Sequence, residues 1–174
     1  MTWQPSDRPA GLLIRRMLSG NLATDPRALA LLFAADRLDH LYGPEGILAH
    51  LRRGGSVICD RYYLSSLAYQ TLDASFSWVF QINSRALYPD LKIFLEVPVD
   101  ECLRRIGDRQ GERKELFERH EALERVRASY HRAIARLARR EIIQVVDGSG
   151  SVDEVAAQVW QRVAVLPGLG PEER

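Results

Sequence analysis

Lysine is nearly missing from this chain. Lys92 and Lys114 are the only two among 24 basic residues in 174. Arginine supplies the rest, a residue whose rigid fork suits carboxylate and phosphate, although a GC-rich genome produces the same bias. Cysteine is equally scarce: Cys59 and Cys102 are too few for a disulfide framework and show no metal-ligand spacing, so reduced thiols inside a cell are expected. Long apolar runs are absent too. The longest, "ALALLFAA" at 28–35, is far too short to span a bilayer, and no leader is expected. A net charge of +1 excludes general affinity for nucleic acid or anionic membrane.

Several signatures are missing as well. His40, His50, His120 and His131 form no H-E-x-x-H or related spacing, which argues against zinc chemistry. No G-x-S-x-G accompanies a Ser-His-Asp set, and no G-x-G-x-x-G occurs, against hydrolase and dinucleotide readings. Nor is there a G-x-x-x-x-G-K-[ST]; "DGSGS" at 147–151 follows a strand and precedes a helix but lacks the lysine. With no repeat, low-complexity tract or rich linker, the composition (46% hydrophobic, 27% charged) predicts one soluble cytoplasmic domain over 1–166 and a frayed tail, 167–174.

What is present alternates. Helix signals cover "SDRPAGLLIRRMLSG", with Pro9 in the first turn and Gly20 as the stop, and "DPRALALLFAADRLDHLY", capped by Asp25 and Pro26. "EGILAHLRR" resumes before Gly54-Gly55, and "SVICD" reads as a short buried strand. Helices are predicted at "YLSSLAYQTL" and "SFSWVFQINSRAL". A second strand follows at "LKIFLEV" and a helix at "VDECLRRIGDR". A charged loop at 107–115, a long helix from about Leu116 to Arg139, the strand "IIQVV" and the helix "SVDEVAAQVWQRVAVL" complete the chain. Continuous apolar strands alternating with helices predict an α/β fold, a parallel sheet covered by helices on both faces.

In such sheets ligands bind outside the carboxyl ends of the strands. Asp60 and Arg61 end "SVICD", so they are either substrate-facing or a structural strand-end pair. Phe33 and Arg37 lie one helical turn apart on one face. They could stack on and hydrogen-bond a planar base, or be core and solvated charge. Tyr62, Ser65, Ser66, Tyr69 and the Gln70 amide suit a polar ligand, though each alone could be ordinary surface. Arg105, Arg109 and Arg113, spaced four apart, are either a salt-bridged face or a lid whose cations neutralise a transferring phosphoryl group.

Together these residues resemble the thymidylate kinase family, which phosphorylates dTMP with ATP. "LLFAADRLDHL" is similar to its base-binding helix, and "DRYYLSSLAYQ" to its Asp-Arg-Tyr motif with the Ser-Ser-x-Ala-Tyr-Gln that follows. "PDLKIFLEVPVDECLRR", "ERVRASYHRAIARLA" and "VVDGSGSVDEV" resemble later segments in family order. The resemblance implies a P-loop nucleoside monophosphate kinase-like sheet, magnesium with ATP, and a homodimer compatible with apolar helices at 28–35 and 76–87. It implies that Phe33 stacks on thymine, Arg37 bonds the base and approaches the phosphate, and Arg61 binds that phosphate. Asp60 would act near the magnesium through water. Ser66 would bond the base edge, with Gln70 beside it. Tyr69 would fill the space of a ribose 2′-hydroxyl, and Tyr130 would close over the base. Arg105 and Arg109 would be catalytic lid arginines on the ATP side, and Asp147, Gly148 and Ser149 would border the adenine. Lys92, starting a strand away from the pocket, is expected to be replaceable by Ala without loss of dTMP binding.

Two departures qualify the resemblance. At 2–9, "TWQPSDRP" stands where the family commonly has Thr-Arg-Glu-Pro-Gly-Gly, so Trp3 replaces a phosphate-binding arginine and Gln4 a glutamate. The family's opening strand, Gly-rich phosphate loop and helix have no counterpart, so the sheet's first strands are expected to be missing. Without that central strand, the strands at 57–60 and 91–97 would expose unpaired edges or pair directly. The chain as written is therefore expected to start too late, and alone neither to fold stably nor to transfer phosphate. Other readings are a non-catalytic nucleotide-binding or dimer-forming homologue, and a deoxynucleoside kinase. Two arginines converging on one pocket argue against the last, since a neutral nucleoside needs fewer cations.

Overall fold

Pro9 and Pro26 each open a helix, where a missing N–H loses no hydrogen bond and a fixed φ is already helical. The first gives α1, Pro9–Leu18, and the second α2, Pro26–Tyr42, whose Asp25 cap accepts from Arg27 N. In this computed structural model, residues 1–110 and 116–168 are described, with side chains over 1–107 and 120–168. The chain forms two units, Met1–Leu87 with Ser129–Ala133, and Tyr88–Ala128 with Ile134–Arg174.

In the first unit a strand that the sequence does not announce, β1 (Thr2–Trp3), pairs in parallel with β2 (Cys59–Asp60). Thr2 N donates to Ile58 O at 2.8 Å and Gln4 N to Asp60 O at 3.0 Å. Two residues followed by Pro5 give no periodic signal, which is why β1 was invisible. β2 is shorter than the expected "SVICD", and Ile58 is 69% exposed, so this strand is not covered on both faces. Helix α3 (Ile47–Arg52) precedes β2; α4 (Tyr63–Tyr69), a 3₁₀ turn at Gln70–Leu72 and α5 (Phe76–Ile82) follow it. The core gathers Ile14, Leu41, Leu67, Ala68, Val79 and Ala133.

Gly11 shows how closely this unit is packed. A Cβ there would lie 2.0 Å from the Ser6 carbonyl oxygen, a backbone atom that cannot swing aside. Gly11→Ala is expected to destabilise the protein by roughly 1–3 kcal/mol or more, read as a lowered denaturation midpoint in urea. An unchanged midpoint would mean that Ser6 and α1 can separate freely.

The second unit pairs β3 (Lys92–Glu96) with β4 (Ile143–Asp147), in parallel, from Lys92 opposite Ile143 to Glu96 opposite Asp147. Helices α6 (Val99–Gln110), α7 (Leu116–Leu137) and α8 (Val152–Val163) complete it. α7 also supplies Ser129–Ala133 to the first unit. Val99, Leu103, Val126, Leu137 and Val146 form its core, whereas Leu95, Ile142 and Val145 are exposed. The predicted α/β class holds, and among the described residues the strands form two two-stranded parallel sheets. Part of the expected loop at 107–115 is helical, since α6 runs to Gln110; 111–115, with Arg113, lie outside the described residues. Of the tail expected at 167–174, 169–174 lie outside them too.

Lys92 is not a peripheral strand start. Its side chain is 6% exposed and pairs with Glu141, whose side chain is 2% exposed. Burial on both sides makes this pair part of the unit's framework.

Candidate active site

β2 ends at Asp60, and Arg61 turns the chain out of the strand with φ 60°. That left-handed conformation is uncommon outside glycine, and where it occurs it tends to mark turns and functional sites. The turn brings the Arg61 guanidinium over the ring of Tyr69, 5.5 Å from its centroid. Partial burial works against the Arg61 charge, but hydrogen bonding to Tyr69 and the fields of Tyr69, Tyr130 and Asp60 hold its pKa above the usual arginine value. Arg61 and Asp60 both remain exposed, so the corner presents a fixed cation beside a carboxylate.

Behind the corner, Tyr69 meets Tyr130 edge to face at 6.0 Å. Tyr130 Oη and Ser65 Oγ are 2.8 Å apart. Burial pushes the Tyr130 pKa up, with the Ser65 contact opposing it, so the phenol stays neutral and able to donate. Gln70 Oε1 is buried with no hydrogen-bond partner among the described residues. A buried amide oxygen left this way is costly and points to an absent donor. Phe33 is half-buried on α2, and the structure gives no ring contact for it among the described residues.

Arg37, expected beside Phe33 to meet a ligand, lies deeper. It is 2% exposed, and its Nε donates to Gln4 Oε1 at 2.8 Å and Nη2 to Ser66 Oγ at 3.1 Å. Nη1 donates to Asn83 Oδ1. The guanidinium also covers Tyr62, 5.4 Å from its centroid. Burial lowers its pKa to about 10. Next to it Asp36, fully buried, accepts from Ser6 N and Ser6 Oγ at 2.8 and 2.5 Å. His40 Nε2 and Thr2 Oγ1 are 2.8 Å apart.

This buried network ties β1 and the loop after it to α2. Of the Arg37 partners, the sequence marks Gln4 as a departure and Tyr62 and Ser66 as suited to a ligand, but does not single out Asn83. Asn83 was missed because "SFSWVFQINSRAL" reads as one continuous helix. α5 in fact stops at Ile82, and the Asn83 amide turns back to donate to Val79 O at 2.8 Å. An asparagine at the end of an apolar helical run is the signal that could have found it.

The residues expected on the ATP side belong to the second unit. Arg105 Nε donates to Glu101 Oε1 at 2.6 Å, and its Nη1 and Nη2 reach Gly148 O and Ser149 O at 3.1 and 3.2 Å. Arg105 thus holds the loop after β4. Hydrogen bonds from Ser149, first from its side chain and then from its backbone N, which lies 2.9 Å from Asp147 Oδ1, hold the Asp147 pKa below its usual value. Asp147, Gly150, Glu154, Ala157 and Gln158 line a shallow depression there. Arg109 lies on α6, and its side chain falls outside the described residues.

The corner in the first unit can hold a phosphate on Arg61 and a planar ring near aromatic and hydroxyl groups. Comparison with known proteins agrees with that chemistry. The thymidylate kinase family model matches residues 1–159. A relative from Aeropyrum pernix, also named as a thymidylate kinase, is 37% identical over 95% of this chain and 81% of its own. Two named as probable thymidylate kinases are similar: one from Pyrococcus abyssi, 40% identical over 89% of this chain and 76% of its own, and one from Caldivirga maquilingensis, 38% identical over 91% and 75%. A family match over residues 1–159, with relatives 37% and 40% identical over 95% and 89% of the chain, makes this chain a member of the thymidylate kinase family.

Proposed function

We propose that the protein transfers the γ-phosphoryl group of ATP to dTMP, giving dTDP, in the cytoplasm and as a homodimer, on a P-loop nucleoside monophosphate kinase-like fold. The observation that carries this is the Asp60–Arg61 corner: a guanidinium fixed by a left-handed turn and an aromatic platform, open to solvent. Arg61 grips the dTMP phosphate. Phe33 stacks on thymine, with Ser66 and Gln70 at the base edge, and the unpaired Gln70 Oε1 supports a donor arriving there. Tyr69 closes the sugar side and Tyr130 the base side. Arg105, Arg109, Asp147, Gly148 and Ser149 serve the ATP side, Arg105 by fixing the loop carbonyls.

Among the described residues no three His, Cys, Asp or Glu side chains could hold a metal ion together, while Asp60 stands exposed at the strand end. This fits magnesium, which keeps several waters and takes its other ligands from nucleotide phosphates. Asp60 would hold it through water, and the ion would neutralise charge on the phosphates. No described helix is long and apolar enough to cross a membrane.

Tyr69→Ala is expected to relax discrimination against the ribonucleotide by about 1–3 kcal/mol in kcat/KM, since it opens room without adding a partner. An unmoved ratio of dTMP to its ribo-counterpart removes Tyr69 as the sugar gate. The function itself is tested by dTDP formation from dTMP and magnesium-ATP, in the chain as given and beside it in a form extended by any in-frame upstream coding segment. dTDP from either supports the kinase reading. dTMP binding with no dTDP from both overturns it in favour of a nucleotide-binding homologue.

A further inference from the structure

Arg37 and Lys92 are the cations buried below a tenth of their surface among the described residues, and they are treated oppositely. Lys92 has Glu141. Arg37 has Gln4 Oε1, Asn83 Oδ1, Ser66 Oγ and the Tyr62 ring, every one neutral. No described carboxylate forms an ion pair with it. The neighbouring Asp36 turns both oxygens to Ser6 and acts on the guanidinium only as a more distant charge. A buried guanidinium satisfied in hydrogen bonds but not in charge is costly. In low-dielectric surroundings that cost falls when an anion approaches.

The position of Gln4 sharpens the point. Gln4 Oε1 lies 2.8 Å from Arg37 Nε and carries no charge, so it leaves the charge on Arg37. Arg37 is linked to the corner through α4: it bonds Ser66 and covers Tyr62, the residue after Arg61.

We propose that Gln4 is a specificity-determining residue through its neutrality: an uncharged side chain beside the Arg37 guanidinium leaves that buried cation to favour a nucleoside monophosphate over the neutral nucleoside. The inference rests on the dTMP reading of the corner and deepens it. A carboxylate at the same place would keep the hydrogen bond and remove the field.

Calorimetric affinities for dTMP and thymidine test this in the wild-type protein, Gln4→Glu, Gln4→Met and Asn83→Asp. The wild type is expected to prefer dTMP, and Gln4→Glu to lose about tenfold or more of that preference, the scale of one charge-assisted contact, with thymidine affinity kept. Gln4→Met, which removes the acceptor and adds no charge, is expected to retain the preference. Should Gln4→Glu fail to fold, Asn83→Asp brings a carboxylate to the other side of the guanidinium and must lower the preference likewise. Carboxylate variants with the wild-type preference overturn the role of Gln4 and leave the dTMP reading standing. A wild type that binds dTMP and thymidine equally overturns the dTMP reading, and this inference with it.

Discussion

Arg61→Ala should abolish measurable dTMP binding, with a loss of at least about 1.5–3 kcal/mol, the worth of a charge-assisted contact to phosphate. The side chain is placed for that contact by its φ of 60° and by Tyr69 beneath it, so it is oriented before a ligand arrives. Arg61→Lys keeps the charge but not the planar fork, and should fall between the two. Arg16→Ala, which removes an exposed cation on α1, is the matched control and should bind like the wild type. Equal losses in Arg61→Ala and Arg16→Ala by calorimetry would show that net charge, not the corner, attracts the ligand.

Breaking the Lys92–Glu141 pair is expected to have the larger effect on stability. With side chains 6% and 2% exposed, Lys92→Ala leaves a carboxylate buried without its cation, a change typically costing about 3–5 kcal/mol. The double change Lys92→Met with Glu141→Leu removes both charges and should recover most of that loss. Urea denaturation of the wild type, Lys92→Met, Glu141→Leu and the double variant gives the coupling between the two sites directly. Additive losses would mean that the pair is not coupled in the folded state. The expectation that Lys92→Ala spares dTMP binding then needs a folded fraction against which to measure it.

Much of unit 1 could be read from the sequence because its signals are local. Pro9, Asp25 and Pro26 fix where α1 and α2 start, and the Asp-Arg pair after an apolar run marks a strand end. What stayed hidden depends on contacts between segments far apart in sequence. β1 exists because Thr2 and Gln4 find Ile58 and Asp60, and no window around "TWQP" contains that information. The i, i+4 spacing of Phe33 and Arg37 left a ligand-facing pair and a solvated charge both open, because spacing says nothing of burial. The burial of Arg37 comes from Gln4, Ser66 and Asn83, which lie on three other segments. Lys92 opened an apolar strand and read only as starting a strand away from the pocket. Only the return of the chain at Glu141 encloses it.

The roles given to Phe33, Arg37, Asp60, Arg61, Ser66, Tyr69, Gln70 and Tyr130 all place dTMP at one corner of the first unit. A crystal structure of the protein with dTMP tests this most directly. The phosphate is predicted within hydrogen-bond reach of the Arg61 guanidinium, with thymine against Phe33 and a ring or exocyclic donor at Gln70 Oε1. A phosphate bound away from Arg61, or a base that leaves Gln70 Oε1 unpaired and Phe33 uncovered, would contradict the account.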